Sequence, residues 1–390
     1  MAGRLLKHHI VCGMSGGVDS SVAALLLKRQ GFRVTGLFMK NWDSLDESGI
    51  CSTEGDYNDA QFVCDKLDIP LHQVSFVKEY WHDVFSNFLK EYENGTTPNP
   101  DILCNKLIKF DKFLNYAMKN FDAHALATGH YARTSGGYSV LTNPESVKKN
   151  GIALLKGLDA NKDQTFFLSQ ISQNALQKTI FPLGELMKKE VKEIALRAGF
   201  ERIVKKKESM GICFIGTRKF QSFIQEYLET ASGNFVSVED GTIMGDHKGC
   251  HLYTVGQRSN IGGQSQAWFI CHKDSTTQTI YVAPGSHHPA LFYQTMITEP
   301  LYWIRQSPPK LLEKKMFECD FRFQHVNVHP LVRCTVTVND KQQGIISLQQ
   351  PLRALTAGQF AVLYDEDECL GGARIMKTGP SLYELSKMCS

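Results

Sequence analysis

A six-residue segment near the amino terminus most tightly constrains how this chain can fold. Residues 15–20, SGGVDS, stand between a short apolar run at 8–14 and a helical pattern at 20–31. Gly16 and Gly17 allow the backbone to curl until several N–H groups point at one spot, and the following helix adds its partial positive charge. The segment has no lysine, which a Walker-type loop requires. It predicts a phosphate-binding turn in an α/β fold, assisted by the hydroxyl groups of Ser15, Ser20 and Ser21.

Strand and helix patterns alternate through the first third of the chain. Beyond the phosphate-binding turn, strand patterns lie at 32–42, 69–76 and 123–132. Helical patterns lie at 58–68, 81–95 and 102–121. Strands separated by helices predict parallel βαβ units and a doubly wound sheet. From about Gly216 the sequence changes to short β-rich segments separated by Gly, Asn and Asp turns. This second pattern predicts one or two small β-barrel or sandwich modules.

Composition sets the broad class of protein. A chain of 390 residues, 42 % of them hydrophobic, is long enough for two or three domains. No apolar run approaches the ~18 residues of a membrane helix, and a net charge of +3 permits a nucleic-acid partner without requiring one. The 11 cysteines are never paired as C-x-x-C, which argues against a zinc ribbon and favours a reducing compartment. Arg4 and Lys7 leave two interpretations open for the amino terminus, a short basic targeting segment or an ordinary start.

A second informative segment is TTPNPDILCNKLIKF, residues 96–110. Its prolines favour extended backbone immediately before a helix, and Asp101 is a natural N-cap. Cys104 would then be the third helical residue, where unpaired N–H groups, the helix dipole and the nearby Lys106 and Lys109 favour a thiolate. We therefore predict a reactive thiol rather than a small buried apolar side chain. Apolar residues recur along this helix at intervals of three or four, so one face of it is predicted to pack against the core. They are Leu103, Leu107, Phe110, Leu114 and Ala117.

A third segment, KKKESMGICFIGTRKF, centres on Cys213. Gly211 and Gly216 flank this cysteine, and such glycines would allow the backbone to bring its sulfur close to another one. The basic run at residues 205–207 is ordinarily a solvated surface, but beside a candidate nucleophile it favours a polyanion as partner. The segment predicts a second reactive cysteine.

Motifs along most of the chain resemble one enzyme family. The SGGVDS turn is similar to the PP-loop of ATP pyrophosphatases, which split ATP into AMP and pyrophosphate. FMKNWD, TPNPDILCN, ATGHYAR, KDQTFFL, FPLGEL, ESMGICFIG, YTVGQR and YVAPGS follow in the order found in tRNA-specific 2-thiouridylases. The resemblance runs from Ile10 to about Gly372, and KNWDSLDESG and KEYWHDVFSNFL are most similar to the eukaryotic mitochondrial branch.

This resemblance implies a fold and a reaction. The expected fold is a doubly wound PP-loop domain of the adenine nucleotide alpha-hydrolase type at residues 1–215, a central β-rich domain at 216–292 and a tRNA-contacting β-barrel at 293–390. The expected reaction replaces the C2 oxygen of the wobble uridine (position 34) of Lys, Glu and Gln tRNAs with sulfur. It consumes ATP with Mg²⁺, passes through an adenylated uridine and takes its sulfur from an enzyme persulfide. The implied location is mitochondrial, with no membrane association.

The resemblance also assigns residue roles. Cys104 matches the nucleophile and Cys213 the persulfide cysteine, while Asp101 would be a general acid/base or only a helix cap. Asp19 would help to hold Mg²⁺ through ATP. The ATP-binding set is Gly13, Met14, Ser15, Gly16, Gly17, Val18, Asp19, Ser20, Met39 and Gly129. The target-base segment is Asn99, Pro100 and Asp101, and the tRNA contacts are His130, Lys162, Asp163, Gln164, Arg322, Phe323 and Gln359. Gln324 departs from the family pattern, because an arginine is expected there.

The implied partners follow from the sulfur chemistry. A cysteine desulfurase or sulfur-relay protein would load Cys213. The terminal sulfur would then attack C2 directly, or Cys104 would release it as sulfide. The second route leaves a Cys104–Cys213 disulfide, which a reductant must reopen before the next turnover.

Three alternatives stay open at this point. A PP-loop amidoligase would adenylate a carboxylate or carbonyl and use ammonia, but it would need neither Cys104 nor Cys213. A non-catalytic tRNA-binding protein would keep the loop as a relic, which the intact loop and both cysteines argue against. As a metal variant of the enzyme, Asp101, Cys104 and Cys213 would ligate an iron–sulfur cluster.

Overall fold

The structure is a computed structural model that describes residues 8–42, 52–143, 145, 149, 151–206, 215, 220–324 and 330–389. The proposed targeting segment at residues 1–7 lies outside these ranges. Within them, none of the helices is both long and apolar enough to cross a membrane.

A parallel sheet organises the first part of the chain. The strands in this part of the chain are β1 (His9–Met14), β2 (Arg33–Lys40), β3 (Leu71–Ser75), β4 (Ala125–Ala127), β5 (Ala132–Thr134), β6 (Leu154–Lys156) and β7 (Thr179–Ile180). Five of these form one sheet in the order β3-β2-β1-β4-β7, and every pairing in it is parallel. The doubly wound parallel sheet predicted from the alternating pattern is therefore confirmed. The chain moves to opposite sides of β1 when it forms β2 and β4, which makes the β1/β4 edge the topological switch point.

Helices connect these strands. They are α1 (Val18–Arg29), α2 (Ser52–Leu67), α3 (Val77–Tyr80), α4 (Ser86–Glu93), α5 (Pro100–Leu103), α6 (Leu114–Phe121), α7 (Ser139–Thr142), α8 (Thr165–Leu168), α9 (Gln173–Leu176), α10 (Lys188–Arg197) and α11 (Glu201–Val204). Two π-helical segments, Trp81–Phe85 and Cys104–Phe113, join α3 to α4 and α5 to α6.

The second π-helical segment changes which side chains face the core. Phe110 has φ −103° and ψ 16°, so the helix does not keep a 3.6-residue period across it. As a result Ile108 is fully buried, whereas Leu103 and Leu107 are only partly buried. The predicted inward face is wrong at Leu107. It is right at Phe110, Leu114 and Ala117, and Leu103 also packs against the core although it is only partly buried.

The rest of the chain forms two β structures. The central one begins with α12 (Phe220–Gln225) and contains β8 (Gly233–Ser237), β9 (Ile243–His247), β10 (Trp268–Asp274) and β11 (Thr279–Pro284), in the order β10-β11-β8-β9. The last one contains β12 (Phe292–Pro300), β13 (Tyr302–Trp303), β14 (Met316–Arg322), β15 (Val332–Val338), β16 (Gln343–Arg353), β17 (Phe360–Asp365) and β18 (Glu368–Thr378), with α13 (Pro309–Lys314) and α14 (Leu382–Met388).

Six strands close the carboxyl-terminal barrel. The order is β12-β16-β15-β14-β17-β18, and β18 pairs with β12 to complete the ring. The predicted β-barrel is confirmed. The barrel sheet also continues into the first part of the chain, because β18 pairs with β6 and β6 pairs with β5. The division at residues 215 and 292 stays a prediction.

Strand β17 is buried on both faces. Ala361 and Leu363 belong to the barrel core, while Phe360, Val362 and Tyr364 join the apolar core of the first domain. This follows from the two-residue period of a strand, which sends successive side chains to opposite faces. The barrel is thus attached to the first domain through continuous hydrophobic packing.

Shortening Leu363 to alanine should loosen the barrel. The side chain is fully buried, and Leu→Ala changes at such sites lower the free energy of unfolding by about 2–5 kcal/mol. Chemical denaturation followed by peptide-resolved hydrogen exchange would measure the loss and locate it in β14, β17 and β18.

The matched control is Ile345→Ala in the same barrel, where the side chain is 39 % exposed. It should lower the free energy of unfolding by at most about 1 kcal/mol. Equal losses in the two variants would contradict the two-sided burial of β17.

Candidate active site

The phosphate-binding turn lies at the switch point of the parallel sheet. β1 ends at Met14 and α1 begins at Val18, so residues 15–17 form the connection. Gly17 is the N-cap residue of α1, with φ −96° and ψ 165°, and no side chain caps the helix there. The first N–H groups of a helix have no intrahelical partner. The uncapped helix end therefore presents N–H groups and partial positive charge at the carboxyl edge of the sheet.

Serine hydroxyls brace this turn from within. The Ser15 N–H donates to Ser20 Oγ at 3.1 Å, and the hydroxyls of Ser20 and Ser21 both donate to the Gly17 carbonyl, at 3.1 and 2.8 Å. Both hydroxyls are thus engaged within the turn, and donation by Ser20 and Ser21 to a bound anion stays a prediction. Their observed contribution is to hold the turn in shape.

Two glycines are required by close contacts around the turn. Gly16 has φ +72°, and a Cβ there would stand 2.3 Å from the Asp56 carbonyl oxygen. A Cβ on Gly129 would stand 2.7 Å from the Ser20 nitrogen. Both positions therefore exclude any larger residue. Gly129, predicted from the resemblance to contact adenosine, lies directly against the amino end of α1.

The other predicted ATP-binding residues lie along the same edge. Because Met14 pairs with Phe38, Met39 is level with Ser15 on the neighbouring strand. The side chains of Met14 and Val18 are buried, which leaves only their backbone groups for a ligand. Gly13 lies against the Phe113 ring, which would be 3.3 Å from a Cβ placed there.

Asp19 is surrounded by two residues that the sequence analysis missed. The Lys188 ammonium lies 2.8 Å from each carboxylate oxygen of Asp19, and the Tyr131 hydroxyl donates to the same carboxylate at 2.8 Å. The Lys188 ammonium also lies 5.6 Å from the centre of the Tyr131 ring. The phosphate loop has no lysine of its own, and Lys188 of α10 places a cation beside it.

One sequence signal, not used in the sequence analysis, singles out Lys188. It is the first residue of α10, and a lysine in the first turn is disfavoured by the helix dipole. A cation in that position indicates an anionic neighbour. The neighbour itself is 169 residues away in the sequence, so pattern analysis along the chain does not identify it.

The helix that carries Cys104 begins earlier than predicted. Asn99, not Asp101, is the N-cap residue, and its side chain accepts a hydrogen bond from the Ile102 N–H at 3.3 Å. Pro100 occupies the first helical position, where its missing N–H costs nothing and its fixed φ suits the helix. Cys104 therefore stands beyond the first turn, and its own N–H donates to backbone carbonyls of that turn. The prediction of unpaired N–H groups around its thiol is wrong, and the side chain is 4 % exposed.

Asp101 and His130 share a common cation. Burial raises the pKa of the Asp101 carboxyl, and the Lys109 charge opposes that rise. Burial lowers the pKa of His130 well below its usual value, and the Lys109 charge lowers it further. His130 is therefore neutral near pH 7, with its Nδ1 atom 2.7 Å from the Thr128 hydroxyl. His130 follows Gly129 and packs its ring 5.6 Å from Phe110, which brings the phosphate turn and the Cys104 helix into one neighbourhood.

Several predicted tRNA contacts are buried. Asp163 is 2 % exposed, Arg322 6 % and Phe323 0 %. The Arg322 guanidinium lies 3.8 Å from Asp163 and 5.7 Å from the centre of the Tyr364 ring. The Arg322–Asp163 pair therefore joins the barrel to the first domain, whereas Phe323 packs in the core of the barrel. Contact of these residues with tRNA stays a prediction.

The remaining residues of that set are placed differently. The Gln164 side-chain oxygen (Oε1) accepts from the Tyr131 N–H at 2.9 Å, which links it to the Asp19 neighbourhood. Lys162 is partly exposed. Gln359 lies at the amino end of β17 and contacts the segment before the Cys104 helix.

The basic run proposed to attract tRNA is partly paired. The Lys206 ammonium contacts the carboxylates of Asp56 and Asp59, at 2.5 and 2.7 Å, and Arg202 contacts Asp59 at 2.6 Å. Lys206 is therefore paired with carboxylates of the first domain, and attraction of a polyanion by the run at residues 205–207 stays a prediction. Lys207 lies outside the described residues.

Cys213 also lies outside the described residues. Across the ranges that the structure does describe, no group of three or more His, Cys, Asp or Glu side chains is placed to hold a metal ion. The iron–sulfur alternative includes Cys213 and stays a hypothesis.

Family profiles match nearly the whole chain. The tRNA methyl transferase HUP domain matches residues 8–217, the tRNA methyl transferase PRC-barrel domain matches 221–284 and the aminomethyltransferase β-barrel domain matches 293–375.

Named relatives match over a similar length. The mitochondrial tRNA-specific 2-thiouridylase 1 of Gallus gallus is 53 % identical over 399 residues, and that of Homo sapiens is 52 % identical over 392. The alignments cover 97 % of this chain and 94 % and 93 % of those proteins. The tRNA-specific 2-thiouridylase MnmA of Streptococcus thermophilus is 45 % identical, with 98 % of each chain covered. The chain therefore belongs to the tRNA-specific 2-thiouridylase family.

Proposed function

We propose that this protein is the enzyme that thiolates the wobble uridine of Lys, Glu and Gln tRNAs at C2, using ATP and a persulfide on Cys213. Thiolation of tRNA is the activity in the names of its relatives. The observation that carries the proposal is the shared edge of the first domain. There, a phosphate turn without lysine and the continuation of the Cys104 helix meet, because Gly129 lies against the turn and His130 contacts Phe110.

The residues at this edge fit ATP. The uncapped end of α1 provides N–H groups for the phosphates, and Lys188 provides a cation beside them. Asp19 is an oxygen ligand of the type that Mg²⁺ prefers, and its side chain is 34 % exposed. Mg²⁺ bound with ATP would supply charge neutralisation at the phosphates. Lys188 and Tyr131 hold the Asp19 carboxylate in place from the protein side.

The first half-reaction activates a poor leaving group. The uridine C2 oxygen attacks the α-phosphorus of ATP, a P–O bond forms, and pyrophosphate departs from the other side. The α1 N–H groups and Lys188 stabilise negative charge on the departing group. The C2 oxygen, now attached to AMP, can leave as part of a phosphate monoester.

The second half-reaction forms the C–S bond. In the direct route the terminal persulfide sulfur attacks C2 and AMP leaves with the former C2 oxygen, so that a disulfide joins the base to Cys213. The Cys104 thiolate then attacks the Cys213 sulfur, the S–S bond to the base breaks to give 2-thiouridine, and a Cys104–Cys213 disulfide forms. In the indirect route Cys104 attacks the Cys213 sulfur, hydrosulfide leaves as the nucleophile, and a Cys104–Cys213 disulfide forms. That disulfide needs a reductant, and Cys213 needs a sulfur-relay protein or desulfurase for reloading. Burial raises the pKa of the Asp101 carboxyl, which supports a role for Asp101 as a general acid/base on the Cys104 helix.

We also place the enzyme in mitochondria. The vertebrate relatives carry that location in their names. The short basic segment at residues 1–7 is consistent with it.

The first prediction concerns the product. Incubating the protein with tRNA, ATP, Mg²⁺ and a persulfide donor should exchange one oxygen for sulfur on uridine 34. Mass spectrometry of digested nucleosides would detect the exchange, and separate Lys, Glu and Gln tRNAs would test the substrate set. ATP cleavage to AMP with tRNA but without any sulfur gain would contradict thiolation and favour another adenylating enzyme.

The second prediction concerns Asp19 and Lys188. Asp19→Asn and Lys188→Ala should each slow AMP formation by roughly 100-fold or more, because the first weakens the carboxylate that would hold Mg²⁺ and the second removes a cation beside the phosphates. tRNA affinity should stay within about twofold of wild type, since phosphate contacts elsewhere carry it. Rapid-quench assays of AMP formation and filter-binding of tRNA would measure both.

Lys189→Ala is the matched control, since Lys189 is the next residue of α10 and is exposed. It should leave AMP formation unchanged. If Lys188→Ala behaved like this control, Lys188 would be only a partner of the Asp19 carboxylate.

The third prediction separates the two cysteines. Cys104→Ser should still accept sulfur on Cys213 but should not complete the transfer to tRNA. Cys213→Ser should not be loaded at all. Peptide mass spectrometry after persulfide loading tests this, with Cys389→Ser, at an exposed cysteine, as the control. Extra sulfur found on Cys104 would reverse the two assignments.

A further inference from the structure

The barrel holds the segment that precedes the Cys104 helix. The Thr97 N–H donates to the Ala357 carbonyl at 3.0 Å. The Gln359 amide nitrogen donates to the Thr97 carbonyl at 3.0 Å and approaches the Pro98 carbonyl at 3.4 Å. In return the Asn99 amide donates to the Gln359 side-chain oxygen at 3.2 Å. A barrel segment more than 250 residues away in sequence thus satisfies the polar groups of this short connection.

Close backbone contact fixes the fit between the two segments. Gly358 has φ +94°, and a Cβ at this position would stand 2.8 Å from both the nitrogen and the oxygen of Thr97. Only glycine combines that conformation with that approach. The Gln359 side chain is therefore held at the correct distance by the backbone of its own turn.

A second contact anchors the helix that leads into the connection. Arg374 of β18 lies 2.8 Å from Glu91 near the end of α4. The Glu91 carbonyl in turn accepts hydrogen bonds from the N–H and hydroxyl of Thr96. The barrel thereby contacts the chain both before and within the connection at residues 94–99.

The Asn99 side chain transmits this contact to the helix. Its nitrogen donates to Gln359, while its oxygen accepts from the Ile102 N–H at 3.3 Å as the N-cap of the helix. An amide that uses both ends in this way has only one useful orientation. Without Gln359 the amide is free to turn its nitrogen toward Ile102, and the cap would be lost. Asp101 and Cys104 lie on the helix that this cap starts.

We propose that Gln359 is a positioning residue for sulfur transfer. It orients the Asn99 cap, so that docking of the barrel and correct formation of the Cys104 helix are one event. This inference rests on the proposed function for its role in sulfur transfer, but its structural part concerns the protein without tRNA. It differs from the tRNA contact that the family resemblance assigns to Gln359. In the free protein the polar atoms of Gln359 are already engaged with Thr97, Pro98 and Asn99.

The test uses the full-length protein with Gln359→Ala, Gln359→Glu and Asn99→Ala. Glutamate keeps the size and the acceptor for Asn99 but places a carboxylate against two carbonyl oxygens. Gln294→Ala is the matched control, because the Gln294 amide also donates to a backbone carbonyl, that of Leu348, but entirely within the barrel.

The first readout needs neither tRNA nor ATP. Hydrogen exchange of the peptide that contains Ile102 and Cys104 should become about tenfold faster in both Gln359 variants and in Asn99→Ala, as expected for one lost hydrogen bond. Alkylation of Cys104, followed by peptide mass spectrometry, should accelerate as well. Gln294→Ala should match wild type in both measurements. Exchange and alkylation rates in the Gln359 variants that equal those of Gln294→Ala would overturn the proposal.

The second readout is single-turnover thiolation. Both Gln359 variants should transfer sulfur about tenfold more slowly at saturating tRNA, with tRNA affinity unchanged. The double variant with Asn99→Ala should be no slower than the slower single variant, because both changes remove the same cap. Weaker tRNA binding with unchanged hydrogen exchange would instead make Gln359 a simple tRNA contact and overturn the proposal. If wild type failed to thiolate tRNA while exchange changed as expected, the proposed function would fail and the positioning of Asn99 would stand.

Discussion

The structure depends above all on strand β17 being buried on both faces. Val362 and Tyr364 extend the core of the first domain, while Ala361 and Leu363 fill the barrel. The barrel cannot separate from the first domain without exposing one of these faces to water, which is the costly step in any opening. Because Gln359 immediately precedes this strand, the same packing places it against the connection to the Cys104 helix.

Charge at the phosphate turn is assembled from distant parts of the first domain. The turn contributes backbone N–H groups and the Asp19 carboxylate, α10 contributes Lys188, and Tyr131 follows β4. The three side chains form a compact group in which the ammonium and the hydroxyl both face the carboxylate. An arriving polyphosphate with a divalent cation would offer the ammonium and the carboxylate new partners of opposite charge. The ion pair between Lys188 and Asp19 therefore keeps each charge compensated by the other.

Asp163, Arg322 and Phe323 belong to segments that the family resemblance assigns to tRNA contact, yet all three are buried and help to hold the protein together. Asp163 accepts hydrogen bonds from Gly157 and Thr165, and Arg322 faces it across the boundary between the barrel and the first domain. A buried charge of this kind is tolerated only when hydrogen-bonding groups surround it. These residues therefore help to fix the relative position of the two parts, which in turn fixes the contact between Gln359 and Asn99.

The sequence by itself determined the features that depend on neighbours in the chain. These are the glycine turn between strand and helix, the parallel sheet and the change to β structure. They follow from periodicity and from residue types such as Gly16, which only a tight turn requires. It did not determine the start of the Cys104 helix, because Asn99 and Asp101 are both good caps. In the structure Asn99 is the N-cap residue, and its amide nitrogen contacts Gln359. Lys188 at Asp19, Lys206 at Asp56 and the buried Arg322 were likewise decided by tertiary structure. Each depends on a partner more than a hundred residues away, and local patterns carry no information about such distances.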